Sequence, residues 1–113
     1  MVKIYHNPRC RKSREGLAFL ETKGLEFEEI RYLDNPLDKE ELIDIINKLG
    51  ISPLQLIRTS EAIWKENFKG KPLTDDAIIQ AMVQYPKLIE RPIVIHANKA
   101  VVARPAEKIM EIL

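Results

Sequence analysis

The sequence predicts an α/β domain built on a four-stranded mixed sheet, with helices on both faces and a helical insertion between strands two and three. Three observations carry this. The chain opens on a strand, a helix and a second strand within residues 2–32, the pattern of a parallel βαβ pair. It closes on two β-branched runs, residues 92–97 and 100–104, joined by a tight turn, which reads as an antiparallel hairpin. Between them, residues 36–88 show only helical periodicity.

Each element has a local cause. Val2-Lys3-Ile4-Tyr5 alternates apolar and polar residues and reads as the first strand. Asn7-Pro8 marks a turn. Leu17, Phe19 and Leu20 recur at helical spacing, so residues 13–23 form an amphipathic helix with Lys23-Gly24 as its C-cap. Residues 25–32 read as a second strand, ended by Asp34-Asn35-Pro36. Asp38 N-caps a helix with an apolar stripe of Leu42, Ile43, Ile45, Ile46 and Leu49, closed at Gly50.

Ser52-Pro53 opens a short helical segment over residues 54–58, and Thr59-Ser60 restarts the helix through Trp64. Gly70-Lys71-Pro72 is a loop. Thr74-Asp75-Asp76 opens a helix that turns Ile78, Ile79, Met82 and Val83 inward, and Tyr85-Pro86 stops it. Trp64, Phe68 and Tyr85 are expected in the core of this insertion. Asn98-Lys99 is expected as the hairpin turn. Pro105 opens a last helix with Ile109, Met110, Ile112 and Leu113 apolar. The order β-α-β, helices, β-β-α is the thioredoxin-like plan, laid out as one domain over residues 1–113.

Chemistry concentrates at His6-Asn7-Pro8-Arg9-Cys10-Arg11-Lys12-Ser13-Arg14. This stretch holds the only cysteine, in a strand-to-helix loop at or just before a helix N-terminus. Lone cysteines commonly serve as buried apolar filler, but a core cysteine belongs inside a strand or on an apolar helix face. First-turn amides and the helix dipole favour an anion here, and Arg9, Arg11, Lys12 and Arg14 add cations. The setting therefore favours the reactive thiolate and attracts oxyanions. Four cations at the positive end of a helix oppose its dipole, a local conflict that points to function.

Composition narrows the class. The 45% hydrophobic and 31% charged fractions are those of a soluble globule. A net charge of +1 gives no global field for nucleic acid or a membrane surface. No apolar run is of membrane-spanning length, and the N-terminus reads without a signal peptide. One cysteine allows no internal disulfide, so a cytoplasmic location is expected. One cysteine and two scattered histidines make no zinc site, and no bound cofactor is expected.

Several motifs, taken in order, resemble the glutaredoxin-coupled arsenate reductases, the ArsC branch of the thioredoxin-like superfamily. They are His6-Asn7-Pro8-Arg9-Cys10 with Ser13-Arg14, Gly50-Ile51-Ser52 to Leu56-Ile57-Arg58, Leu73-Thr74-Asp75-Asp76, Arg91-Pro92-Ile93-Val94, and Arg104-Pro105. The resemblance implies that Cys10 is the nucleophile and that His6 and Ser13 tune its thiolate. It implies that Arg58, Arg91 and Arg104 hold the arsenic oxyanion, and that Pro92 is the proline facing the thiol, commonly after a cis peptide bond. Arginine forks suit a tetrahedral oxyanion better than lysine point charges. Arsenate is then the substrate, glutathione the co-substrate and a glutaredoxin the protein partner. With a single cysteine, the second reducing thiol has to come from outside the chain.

Two other classes share the plan. Spx-type regulators bind RNA polymerase, and many carry a Cys-x-x-Cys switch, which Ser13 precludes here. A monothiol glutaredoxin-like exchanger fits Cys-x-x-Ser, and arsenate-dependent turnover separates it from the reductase. The unrelated phosphatase-like reductases need Cys-x5-Arg, and the residue at that spacing is Gly16.

Overall fold

A computed structural model describes all of residues 1–113. The chain divides into two compact units, Met1–Asn35 with Arg91–Leu113, and Pro36–Glu90.

The first unit holds the sheet. Its strands are β1 (Val2–Tyr5), β2 (Phe27–Ile30), β3 (Ile93–His96) and β4 (Lys99–Val102), in the order β2-β1-β3-β4. β1 pairs parallel with β2 and antiparallel with β3, and β3 pairs antiparallel with β4. The sheet is therefore mixed, as the βαβ start and the hairpin end require. Helix α1 (Arg11–Thr22) connects β1 to β2. Val2, Ile4, Leu20, Val94, Ala103, Ile109 and Ile112 form one buried cluster, so α1 and the C-terminal turn share a face of the sheet.

That last turn, Ala106–Glu111, is a 3₁₀ helix rather than the expected α-helix. Its bonds run from Lys108 N–H to Pro105 O and from Ile112 N–H to Ile109 O. His96 on β3 contacts the Ile112 carbonyl through Nδ1 at 2.7 Å and ties down the chain end. The hairpin turn also differs by one residue. His96 pairs with Lys99, so the two-residue turn is Ala97-Asn98, with Ala97 at φ +55°. The pleat sets this register, because each residue's face is fixed by its partner across the ladder.

The second unit is helical: α2 (Lys39–Leu49), α3 (Ala62–Asn67), α4 (Asp75–Gln84) and the 3₁₀ turns Pro53–Leu56 and Pro86–Leu88. Asp38 accepts from Glu41 N–H, Thr74 accepts from Ala77 N–H, and Gly50 closes α2 at φ +67°. These are the caps the sequence predicts. The segment before Arg58 is not helical to its end. Ile57 forms an antiparallel bridge with Ile89, and Arg58 N–H donates to Leu88 O at 2.7 Å. The bridge pulls Ile57 into extended backbone, so Arg58 does not cap a helix, and the helix restarts only at Ala62. Trp64 is buried and stacks on Phe68, whose ring meets Tyr85 edge-on. No helix is long and apolar enough to cross a membrane.

Candidate active site

Cys10 is the N-cap of α1 and is 9% exposed. Its N–H donates to Asn7 O at 3.0 Å, and its carbonyl accepts the first helical bond from Arg14 N–H at 3.0 Å. The thiol makes no capping hydrogen bond, and the first turn contains no acidic residue. No acidic side chain in the first turn therefore offsets the partial positive charge of this helix end.

The four cations around the loop do different work. Arg14 Nη1 donates to Pro8 O at 2.9 Å and straps the loop to its own helix. Arg11 and Lys12 both pair with Glu15, at 3.3 and 3.6 Å, on the exposed side. Arg9 is exposed, with its N–H donating to Asn7 Oδ1 at 3.0 Å. Part of the crowding read from the sequence is thus relieved by Glu15.

Ser13 is fully buried and organises the loop from beneath. Its hydroxyl oxygen accepts from Asn7 N–H at 2.9 Å and lies 2.7 Å from His6 Nδ1. One hydroxyl thus bonds both the Asn7 amide and the His6 ring, tying the two together. His6 is 3% exposed. Burial pushes its pKa below the ordinary 6.5, and Arg31 and Arg14 act the same way, against Glu29 and Ser13. The ring is therefore neutral near pH 7.

This shift has a stability consequence. A depressed histidine resists the proton that the unfolded chain accepts below pH 6.5, so folded-state stability falls as pH drops through that window. Above 6.5 the contribution is flat. Urea unfolding of the wild-type protein should show a midpoint that declines from pH 7.5 to 5.5. A His6→Asn variant, which keeps a neutral hydrogen-bonding side chain, should show a shallower decline. Equal slopes would place the acid sensitivity elsewhere.

Arg91 and Arg104 lie on either side of the hairpin, and the structure brings them together. Arg104 Nη1 donates to Arg91 O at 3.2 Å. Arg91 is 9% exposed, and its Nε and Nη1 are buried with no hydrogen-bond acceptor in the protein. The Arg91-Pro92 peptide bond is cis, and so is Arg104-Pro105, which no local pattern in the sequence marks. Pro92 O accepts from Ala103 N–H at 2.9 Å. On the other side, a Cβ placed on Gly16 of α1 would stand only 2.7 Å from Pro92 Cγ. Pro92 thus joins the helix that Cys10 caps to the segments that carry both arginines. Sequence reasoning missed Gly16 as a packing residue, because its partner is remote in the chain.

Arg58 belongs to the second unit. Its Nη1 pairs with Glu61 at 3.4 Å and its Nε with Glu90 at 3.5 Å. No group of three or more His, Cys, Asp or Glu side chains could hold a metal ion.

Comparison with known proteins identifies the family. A model of the ArsC family matches residues 5–112. A Neisseria meningitidis protein named arsenate reductase is 45% identical, covering 99% of this chain and 97% of its own length. The uncharacterized Escherichia coli protein YfgD is 48% identical, covering 99% of this chain and 96% of its own. A solved structure described as arsenate reductase from Vibrio cholerae matches with a TM-score of 0.94 at 45% identity, covering 99% of this chain and 97% of that one. With a family model matching residues 5–112 and relatives of 45–48% identity along nearly the whole chain, the chain belongs to the ArsC family.

Proposed function

We propose that the protein reduces arsenate to arsenite, with Cys10 as nucleophile, glutathione as co-substrate and a glutaredoxin as recycling partner. The observation that carries the reading is Arg91. A buried guanidinium with two nitrogens lacking protein acceptors is costly unless an anion completes it. Arg104 beside it and the positive end of α1 suit the same tetrahedral oxyanion. Arg58 enters on its motif alone, as a third arginine for the oxyanion. His6 and Ser13 act by holding the Asn7–Cys10 backbone in place.

The steps balance with one external thiol. The Cys10 thiolate attacks arsenic, and one arsenate oxygen leaves as water after protonation. Arginines neutralise the charge on the expanded centre. An external thiolate then attacks Cys10 Sγ. The S–S bond forms, the S–As bond breaks, and arsenic takes the electron pair in passing from arsenic(V) to arsenic(III). Arsenite departs and a mixed disulfide remains for the glutaredoxin. Such thiol cycling belongs in a reducing compartment.

Arsenite production by purified protein tests this. Turnover should require glutathione, and withholding glutaredoxin should leave one glutathionyl group on Cys10 by intact mass. Glutathionylation of Cys10 that is indifferent to arsenate would replace arsenate reduction with plain thiol exchange.

A further inference from the structure

A pocket of about 320 Å³ opens beside the Cys10 loop, within the range of small-molecule sites, roughly 300–1,000 Å³. One wall is His6-Asn7-Pro8-Arg9, the segment that leaves β1. The other is the turn that leaves β2, through Arg31, Leu33 and Asp34. β1 and β2 are the parallel pair, and His6 N–H donates to Ile30 O at 2.8 Å, so the pairing continues to the pocket. The pocket therefore lies at the carboxyl ends of two parallel strands, where open α/β sheets bind ligands.

Its charges are held on fixed backbone. Asp34 and Asn35 N–H groups both donate to Arg31 O, at 3.0 and 2.9 Å, which closes the turn carrying Arg31 and Asp34. Arg9 N–H is held by Asn7 Oδ1. Arg31 gives Nε to Glu29 at 2.8 Å, and that ion pair does not use the two-nitrogen end of the fork. The lining offers two guanidinium groups and one carboxylate against the buried face of His6.

We infer that this pocket seats a small peptide thiol bearing two carboxylates and one ammonium, the co-substrate that attacks the Cys10 adduct. The inference rests on the thiol-dependent reading of Cys10 and gives that thiol a site. Arg9 and Arg31 answer the two carboxylates, and Asp34 answers the ammonium. The Asn7–Arg9 wall runs directly into Cys10, one Cα step of about 3.8 Å beyond Arg9. An extended tripeptide spans about 10 Å, enough for its ends to engage the charged rim while its sulfur reaches Sγ. In the attack, the peptide sulfur bonds to Sγ and the S–As electron pair passes to arsenic.

S-methylglutathione, which cannot form a disulfide, is the binding probe. Titrated into the wild-type protein, it should shift the backbone amides of Asn7, Arg9, Leu33 and Asp34 in nitrogen-15 spectra. An Arg31→Ala variant should bind it about tenfold more weakly, the scale of one charge-assisted hydrogen bond, and Asp34→Asn should also weaken it. In arsenate turnover, Arg31→Ala should raise KM for glutathione about tenfold and leave that for 2-mercaptoethanol, which has no carboxylate, unchanged. Binding at these amides without arsenate turnover would uphold the pocket and overturn only the arsenate reading. Shifts confined to other amides, or unaltered affinity in Arg31→Ala, would overturn the pocket assignment.

Discussion

An Arg91→Met variant is expected to lose arsenate turnover by about a hundred- to a thousandfold, the scale of removing one charge-stabilising donor group from an enclosed site. It is also expected to become more stable. Arg91 is 9% exposed, and its Nε and Nη1 find no acceptor in the protein. Each buried donor left unpaired costs about 1–3 kcal/mol, and methionine retains most of the apolar stem without those donors. The gain should be about 1–3 kcal/mol. Urea unfolding at constant slope would read it as a raised midpoint, beside kcat/KM for arsenate on the same preparation. Arg91→Lys should not restore activity, because a single ammonium cannot replace a planar fork on a tetrahedral oxyanion. Parallel loss of stability and activity in Arg91→Met would mark the residue as structural and remove the main support for an oxyanion site.

Why the site reads so unevenly from the sequence follows from where its determinants lie. Asp38, Gly50 and Thr74 act on backbone groups within four residues, and their roles are legible from local pattern alone. Cys10 as N-cap is legible for the same reason, since the strand, the Asn7-Pro8 turn and the helical spacing all lie within one short stretch. Arg58 is misread as the end of a helical segment because Ile57 answers to Ile89, far along the chain. The hairpin turn slips by one residue because the His96–Lys99 pairing, not the turn composition, sets the register. Arg91 could be picked out as a cation before a proline. That two of its buried nitrogens lack acceptors is a property of packing, and no sequence pattern encodes it.

Gly16→Ala opposes helix propensity to packing at the contact between α1 and Pro92. Propensity alone favours the substitution, since alanine stabilises a helix interior by about 1 kcal/mol over glycine. The geometry reverses the sign. A Cβ on Gly16 would stand 2.7 Å from Pro92 Cγ and 3.8 Å from Ile4 Cδ1. Ile4 can tolerate ordinary contact, but the proline ring is short, stiff and fully buried. Its carbonyl is also held by Ala103 N–H. Relief therefore has to come from backbone movement at Pro92 or from α1 lifting off the sheet. Overpacking of this kind costs about 1–3 kcal/mol, so the net change should be a destabilisation of up to about 2 kcal/mol after the propensity gain. The movement reaches function as well. Arg91 precedes the displaced ring, and Arg104 follows the residue bonded to it, while Cys10 caps the helix that would lift. Turnover in Gly16→Ala should fall by more than the small unfolded fraction explains, and Gly16→Val should be worse on both counts. A Gly16→Ala protein more stable than wild type would mean that α1 and Pro92 do not approach this closely, and that the cysteine and the arginines are not joined through that contact.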